Sequence, residues 1–238
     1  MLPMVVVLPQ PPLLVPELAT GAAVETEELR AACRSAAARL AAVAPEWIAV
    51  GSDAGGRRTV RPEAVGTFAG FGVDVRVPLD TTAPADGPDP DLALPLLIAA
   101  WAAGTTGAPV RIRGELVAPD ADPEECARLG ADLAAECAAA AGPVGLLIVG
   151  DGAATHTDKA PGHLDERAGP FDDAVAKALE SADAAALAAL DPVVAAELWA
   201  AGRAPWQVLA GACPQGRRGE LLHSSAPFGV AYHVAVWT

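Results

Sequence analysis

Histidine is scarce in this chain, with four copies in 238 residues, so the placement of each is informative. His156 is the one best placed for chemistry. It follows an apolar run, Val144 to Val149, that ends at Gly150-Asp151-Gly152, and it lies in a polar loop where a neutral imidazole can take or give a proton. Two further segments end apolar runs in the same way: Pro9-Gln10-Pro11-Pro12 after Val5 to Leu8, and Gly51-Ser52-Asp53 after Trp47 to Val50. If these runs are neighbouring parallel strands, their loops meet at one end of the sheet. The candidate site is then His156 as acid-base catalyst, with Gln10, Pro11, Ser52, Asp53 and Asp151 lining a pocket. An exposed loop histidine is the plainer reading of His156, and His163, His223 and His233 read as structural or surface residues.

Other chemistries find little support. No HxH, HExxH or HxxxH pair exists, so no imidazole metal site can be read from local spacing. Gly150-Asp151-Gly152 resembles a phosphate-binding turn but lacks the third glycine and an immediate helix. There is no GxSxG elbow around Ser52. Cys33, Cys126, Cys137 and Cys213 are scattered without CxxC spacing, and the first three fall on apolar helix faces, where a free thiol behaves as a small hydrophobe. That usage fits a reducing cytoplasm.

The elements that must position these residues are legible in part. Val5 to Leu8 reads as a buried strand stopped by proline. Leu29, Cys33, Ala36, Leu40 and Val43 recur at helical spacing behind Thr26, with Glu27 and Glu28 at the positive end, and Pro45 closes the helix. Trp47 to Val50 reads as a second buried strand. Gly72 to Leu79 alternates like a half-exposed strand near an edge, and residues 80–91 read as an exposed loop. Leu92 to Ala103 predicts a deeply buried helix, followed by a strand from Val110 to Val117. Asp122-Pro123-Glu124-Glu125 carries the clearest helix start, with a cap, proline at the first position and a carboxylate behind it. Further helices are predicted from about Phe171 and Pro192, and the segment from Glu220 to Trp237 reads as a closing hairpin. This order predicts an α/β single-domain sandwich spanning 1–238, with a mainly parallel central sheet, some antiparallel strands, the C-terminal hairpin and flanking helices.

Charge narrows the partners. A net charge of −14 repels nucleic-acid phosphate and anionic membranes, and only Arg57-Arg58 and Arg217-Arg218 pair adjacent basic residues. No apolar run reaches the roughly 18 residues of a membrane span. The apolar N-terminus lacks a basic region and is broken by Pro9, so it reads as a strand rather than a signal. A cytoplasmic chain with a small-molecule ligand is the expectation; a homo-oligomer is compatible with the helical surface.

Three blocks bear a family resemblance over nearly the whole length: Leu8 to Glu17; Val149-Gly150-Asp151-Gly152 leading to His156 and Lys159-Ala160-Pro161-Gly162 before Phe171-Asp172; and Ala226-Pro227-Phe228-Gly229-Val230. Together they resemble the catalytic B-subunit superfamily of class III extradiol ring-cleavage dioxygenases, relatives of Memo-like proteins, particularly actinobacterial members. The resemblance implies a ferrous ion held by two histidines and a carboxylate, with a further histidine, matched by His156, serving as acid-base catalyst. Here Gln10 stands at the first ligand position and Gly51-Ser52-Asp53 at the second, so both imidazoles are missing, and neither Glu197 nor Gln207 can be assigned as the third. The expected protein is therefore dioxygenase-like, with a retained pocket, no metal ligands and no expected cofactor. The alternative is an active Fe(II)-dependent oxidoreductase that cleaves a catechol ring with dioxygen, using an unusual site that includes Asp53 and His156.

Overall fold

The computed structural model describes residues 2–19, 21, 24–85 and 87–238. Its strands are β1 (Val5–Leu8), β2 (Glu46–Ser52), β3 (Arg58–Val60), β4 (Val65–Thr67), β5 (Arg76–Pro78), β6 (Arg111–Val117), β7 (Val144–Val149), β8 (Gly219–Ser225) and β9 (Tyr232–Trp237). The helices are α1 (Glu27–Val43), α2 (Leu94–Gly104), α3 (Pro123–Ala139), α4 (Ala168–Ser181), α5 (Ala184–Ala188), α6 (Pro192–Glu197) and α7 (Arg203–Ala212).

Among the described residues the main sheet runs β3-β6-β2-β7-β1-β9-β8. The central four strands are parallel, with β1 on β7, β7 on β2 and β2 on β6. Strands β3, β9 and β8 complete it in antiparallel fashion. This is the expected α/β sandwich, including the β8-β9 hairpin. The carboxyl ends of β6, β2, β7 and β1 therefore share one edge, where the start of antiparallel β9 also lies.

Alternation along the strands explains the layers. Val6 and Leu8 of β1 pack with Leu29, Leu40, Leu96 and Ile98 on one face, while Val5 and Val7 pack with Leu129, Val175, Trp206 and Leu209 on the other. Both faces are covered, so β1 is apolar throughout. Helix α2 is buried along nearly all its length, and all four cysteines are buried. Asp122 caps α3 by accepting from the Glu124 N–H at 2.8 Å. No helix among the described residues is long and apolar enough to cross a membrane.

The segment Gly72 to Leu79 departs from the expected single strand. Only Arg76–Pro78 is extended, and it pairs with β4 in a separate two-stranded sheet. The Asp74 carboxylate accepts from the Thr67 hydroxyl at 2.7 Å, and Gly72 is left-handed, so the chain curls before the strand begins.

Helices α3 and α7 touch through glycine. A Cβ at Gly130 would collide with the Val208 carbonyl, and one at Gly211 with the backbone of Ala127. Gly130→Ala is therefore expected to lower stability by about 2 kcal/mol, outweighing its gain of about 1 kcal/mol in helix propensity. Urea denaturation of the variant checks this, and a stabilised variant would contradict the close packing.

Candidate functional site

The segment after β7 is held as if it were an extra strand beside the turn before β9. The Gly152 N–H donates to the Ala231 carbonyl at 2.8 Å, the Ala231 N–H to Ala153 at 2.9 Å, and the His156 N–H to Gly229 at 3.1 Å. Gly229 sits at φ 78° against Thr157 and Ala160, a left-handed position with no room for a side chain. These bonds place His156, a half-buried residue, over the amino end of α4.

There His156 Nε2 lies 2.6 Å from Asp172 Oδ2, while His233 Nε2 lies 3.2 Å from Asp172 Oδ1. The same carboxylate accepts from the Ala153 N–H at 3.1 Å. Asp172 and His233 are both buried. An ionised carboxylate only accepts, so each imidazole presents its Nε2–H to it. That leaves the Nδ1 lone pair of His233 to accept from the Ser224 hydroxyl at 3.0 Å, and the Nδ1 lone pair of His156 to act as a base. The result is a continuous chain, Ser224–His233–Asp172–His156. Gly152 makes it possible, because a Cβ there would strike Asp172 Oδ1.

Beside this chain, the Gln10 N–H donates to Asp151 Oδ1 at 2.7 Å, joining the carboxyl ends of β1 and β7. Part of Asp151 meets solvent, but its carboxyl is enclosed by protein. Burial pushes that carboxyl up to about 7, against the opposing pull of the Gln10 bond. Burial, together with the neighbouring Asp151 charge, also raises the Tyr232 phenol above its ordinary value. The side-chain oxygen of Gln10 is buried, with no hydrogen-bond partner among the described residues. Arg30 braces the loop that carries Gln10 and Pro11 by donating to the Leu14 carbonyl at 2.9 Å and Leu13 at 3.2 Å.

Ser52 and Asp53 lie on the same sheet edge but are differently committed. The Ser52 hydroxyl donates to the Ala201 carbonyl at 2.8 Å, and the following Gly202 N–H donates to the Asp151 carbonyl at 2.7 Å, so Ser52 is linked to Asp151 through one turn. Asp53 turns toward β3 and accepts from Arg58 Nη1 at 2.6 Å. Glu197 pairs with Arg167 at 2.7 Å, and Gln207 is buried against Arg203 and the Ala188 and Leu190 carbonyls. Among the described residues, cavities of about 520, 290 and 280 Å³ open on the surface, and none of these three is lined by Gln10, Pro11, Ser52, Asp53, Asp151 or His156. The smallest flanks His156, lined by Thr157, Lys159, Pro227, Phe228 and Gly229.

Sequence reasoning missed Asp172 and His233. A histidine in an internal strand covered on both faces must find a partner, and that signal was available once β9 was placed between β1 and β8.

Whether these residues could hold the ferrous ion that the dioxygenase resemblance implies is a matter of donors. Such a site needs two imidazoles and a carboxylate facing one point. At the matching positions stand an amide, a hydroxyl bonded to a carbonyl and a carboxylate paired with arginine. Among the described residues no group of three or more His, Cys, Asp or Glu side chains is gathered to hold a metal ion. The residues do not fit the group.

No protein-family model matches the chain, and no curated protein does. Among solved structures, the chain is similar over 98% of its length, and 98% of the other's, to the crystal structure of uncharacterized protein JW3007 from Escherichia coli K12, with a TM-score of 0.55 and 14% identity. At that identity the likeness shows a shared fold.

Proposed function

We propose that the protein is an extradiol-dioxygenase-like chain whose iron centre has given way to a metal-free acid–base site, and that it binds a small molecule there without cleaving an aromatic ring. One observation carries this reading. Of the side chains at the positions matched to iron ligands, Ser52 and Asp53 are bonded within the protein and Gln10 offers an amide in place of an imidazole, while the histidine matched to the acid-base catalyst keeps an orienting carboxylate, His156 to Asp172 at 2.6 Å. The full-length fold likeness is compatible with it. His156, with Nε2–H fixed on Asp172, can take a proton at Nδ1 from a bound hydroxyl.

Catechol is the direct probe. The protein, supplied with Fe(II) under nitrogen and then exposed to air, is expected to give no ring-cleaved product. Catechol added to the metal-free protein is expected to shift the His156 imidazole resonances in a saturable manner. Ring cleavage that depends on His156 would instead establish the iron-dependent oxidoreductase, and absence of saturable binding would remove the ligand site.

A further inference from the structure

The cavity that flanks His156 gives the bound small molecule a chemical class. It measures about 280 Å³, near the lower end for small-molecule sites, which suits a ligand of one ring. Its walls are two turns, each closed by its own bond. The Ala160 N–H donates to the Thr157 carbonyl at 3.0 Å, and the Gly229 N–H to the Ala226 carbonyl at 3.3 Å. The His156 N–H ties the turns together by donating to the Gly229 carbonyl at 3.1 Å, and Gly229 lies against Thr157 and Ala160. The cavity therefore adjoins His156 and is formed in the protein before any ligand arrives.

Its lining selects the occupant. Of Thr157, Lys159, Pro227, Phe228 and Gly229, the one charged residue is Lys159, so the charge the cavity presents is positive. Lysine stands at only two positions in the chain, Lys159 and Lys177. Lys159 is exposed and forms no ion pair among the described residues. Asp158 precedes it without lining the cavity, and Asp165, later in the loop, is held by Arg167 at 2.6 Å. The apolar wall is Pro227 with Phe228, whose ring is 37% exposed and meets no other ring among the described residues. Such a ring offers its face to a flat apolar partner. One ammonium balances one negative charge, and a dianion such as a phosphate monoester would carry a second charge into the field of a chain at −14.

We infer that the molecule bound beside His156 is a small monocarboxylate with a flat apolar body, its ring against Phe228 and its carboxylate on the Lys159 ammonium. This rests on the acid–base reading of His156 for the other end of the molecule. Benzoate tests it at neutral pH and low ionic strength, with the Gly229 amide resonance as readout. Benzamide copies the shape without the charge, and benzylamine reverses the charge. Benzoate is expected to bind saturably, about fivefold more tightly than benzamide, and to displace catechol. Lys159→Gln should bring benzoate down to the level of benzamide with no change in melting temperature, because the residue is exposed, and Lys159→Glu should turn the preference to benzylamine. Phe228→Ala is expected to weaken benzoate and benzamide alike. Equal binding of the two by the parent, preference of the parent for benzylamine, no saturation, or undiminished benzoate binding to Lys159→Gln would each overturn the inference. In any of those cases a saturable catechol shift at His156 shows that the acid–base reading survives, whereas its absence beside Lys159-dependent benzoate binding would remove that reading alone.

Discussion

Asp172→Ala is expected to lower folding stability by about 3–5 kcal/mol, which is a large part of what a chain of this kind has to lose. The carboxylate accepts from two imidazoles and one backbone N–H. Removing it leaves the His233 Nε2–H and the Ala153 N–H buried without an acceptor, and each such orphan costs about 1–3 kcal/mol. Asp172→Asn separates shape from charge. An amide offers one acceptor oxygen where the carboxylate offered two, so one imidazole must change tautomer and turn its Nε2 lone pair to the amide N–H, and a milder loss of about 1–2 kcal/mol is expected. Urea denaturation gives both numbers. A loss under about 1 kcal/mol for the alanine variant would mean that the network does not hold the His156 segment.

The second large effect is a pH dependence set by Asp151. Its folded-state pKa of about 7 lies above the ordinary value of 3.8, so the native state binds this proton more tightly than the unfolded chain. The stability this group contributes is therefore fully present below about pH 4 and is lost as pH rises through about 7. Allowing for the part of the residue that meets solvent, the change is about 2 kcal/mol. Asparagine resembles the protonated acid and keeps an oxygen for the Gln10 N–H. Asp151→Asn is expected to be more stable than the parent by about that amount at pH 8 and indistinguishable from it near pH 4. Thermal melts across that range check it. Parallel pH profiles for the two proteins would show that Asp151 is ionised throughout.

The contrast between what was legible in the sequence and what was not follows from range. Val5 to Leu8, Trp47 to Val50 and Val144 to Val149 could be read as buried strands because local apolar runs bounded by proline or glycine specify them, and the structure has strands there. Asp122 announced α3 through a cap, which is also local. Helix α7 gave no such signal: Arg203 and Gln207 are polar residues buried inside it, satisfied by carbonyls from distant loops. The site divides in the same way. His156, Gln10 and Asp151 stand at strand ends that the sequence marks, whereas Asp172 sits within α4 and His233 within β9. Their meeting depends on a 152–156 strip pairing with residues 229–231, which no spacing rule encodes. Asp53 shows the converse, since its place at a strand end was legible but its pairing with Arg58 of β3 was not.

The replacement of imidazole donors at the strand ends is tested most directly by equilibrium dialysis against Fe(II) under nitrogen, followed by metal analysis of the protein. Iron far below one equivalent per chain is predicted, unchanged in Gln10→Ala and Asp53→Ala. One tightly held equivalent that either substitution releases would contradict it.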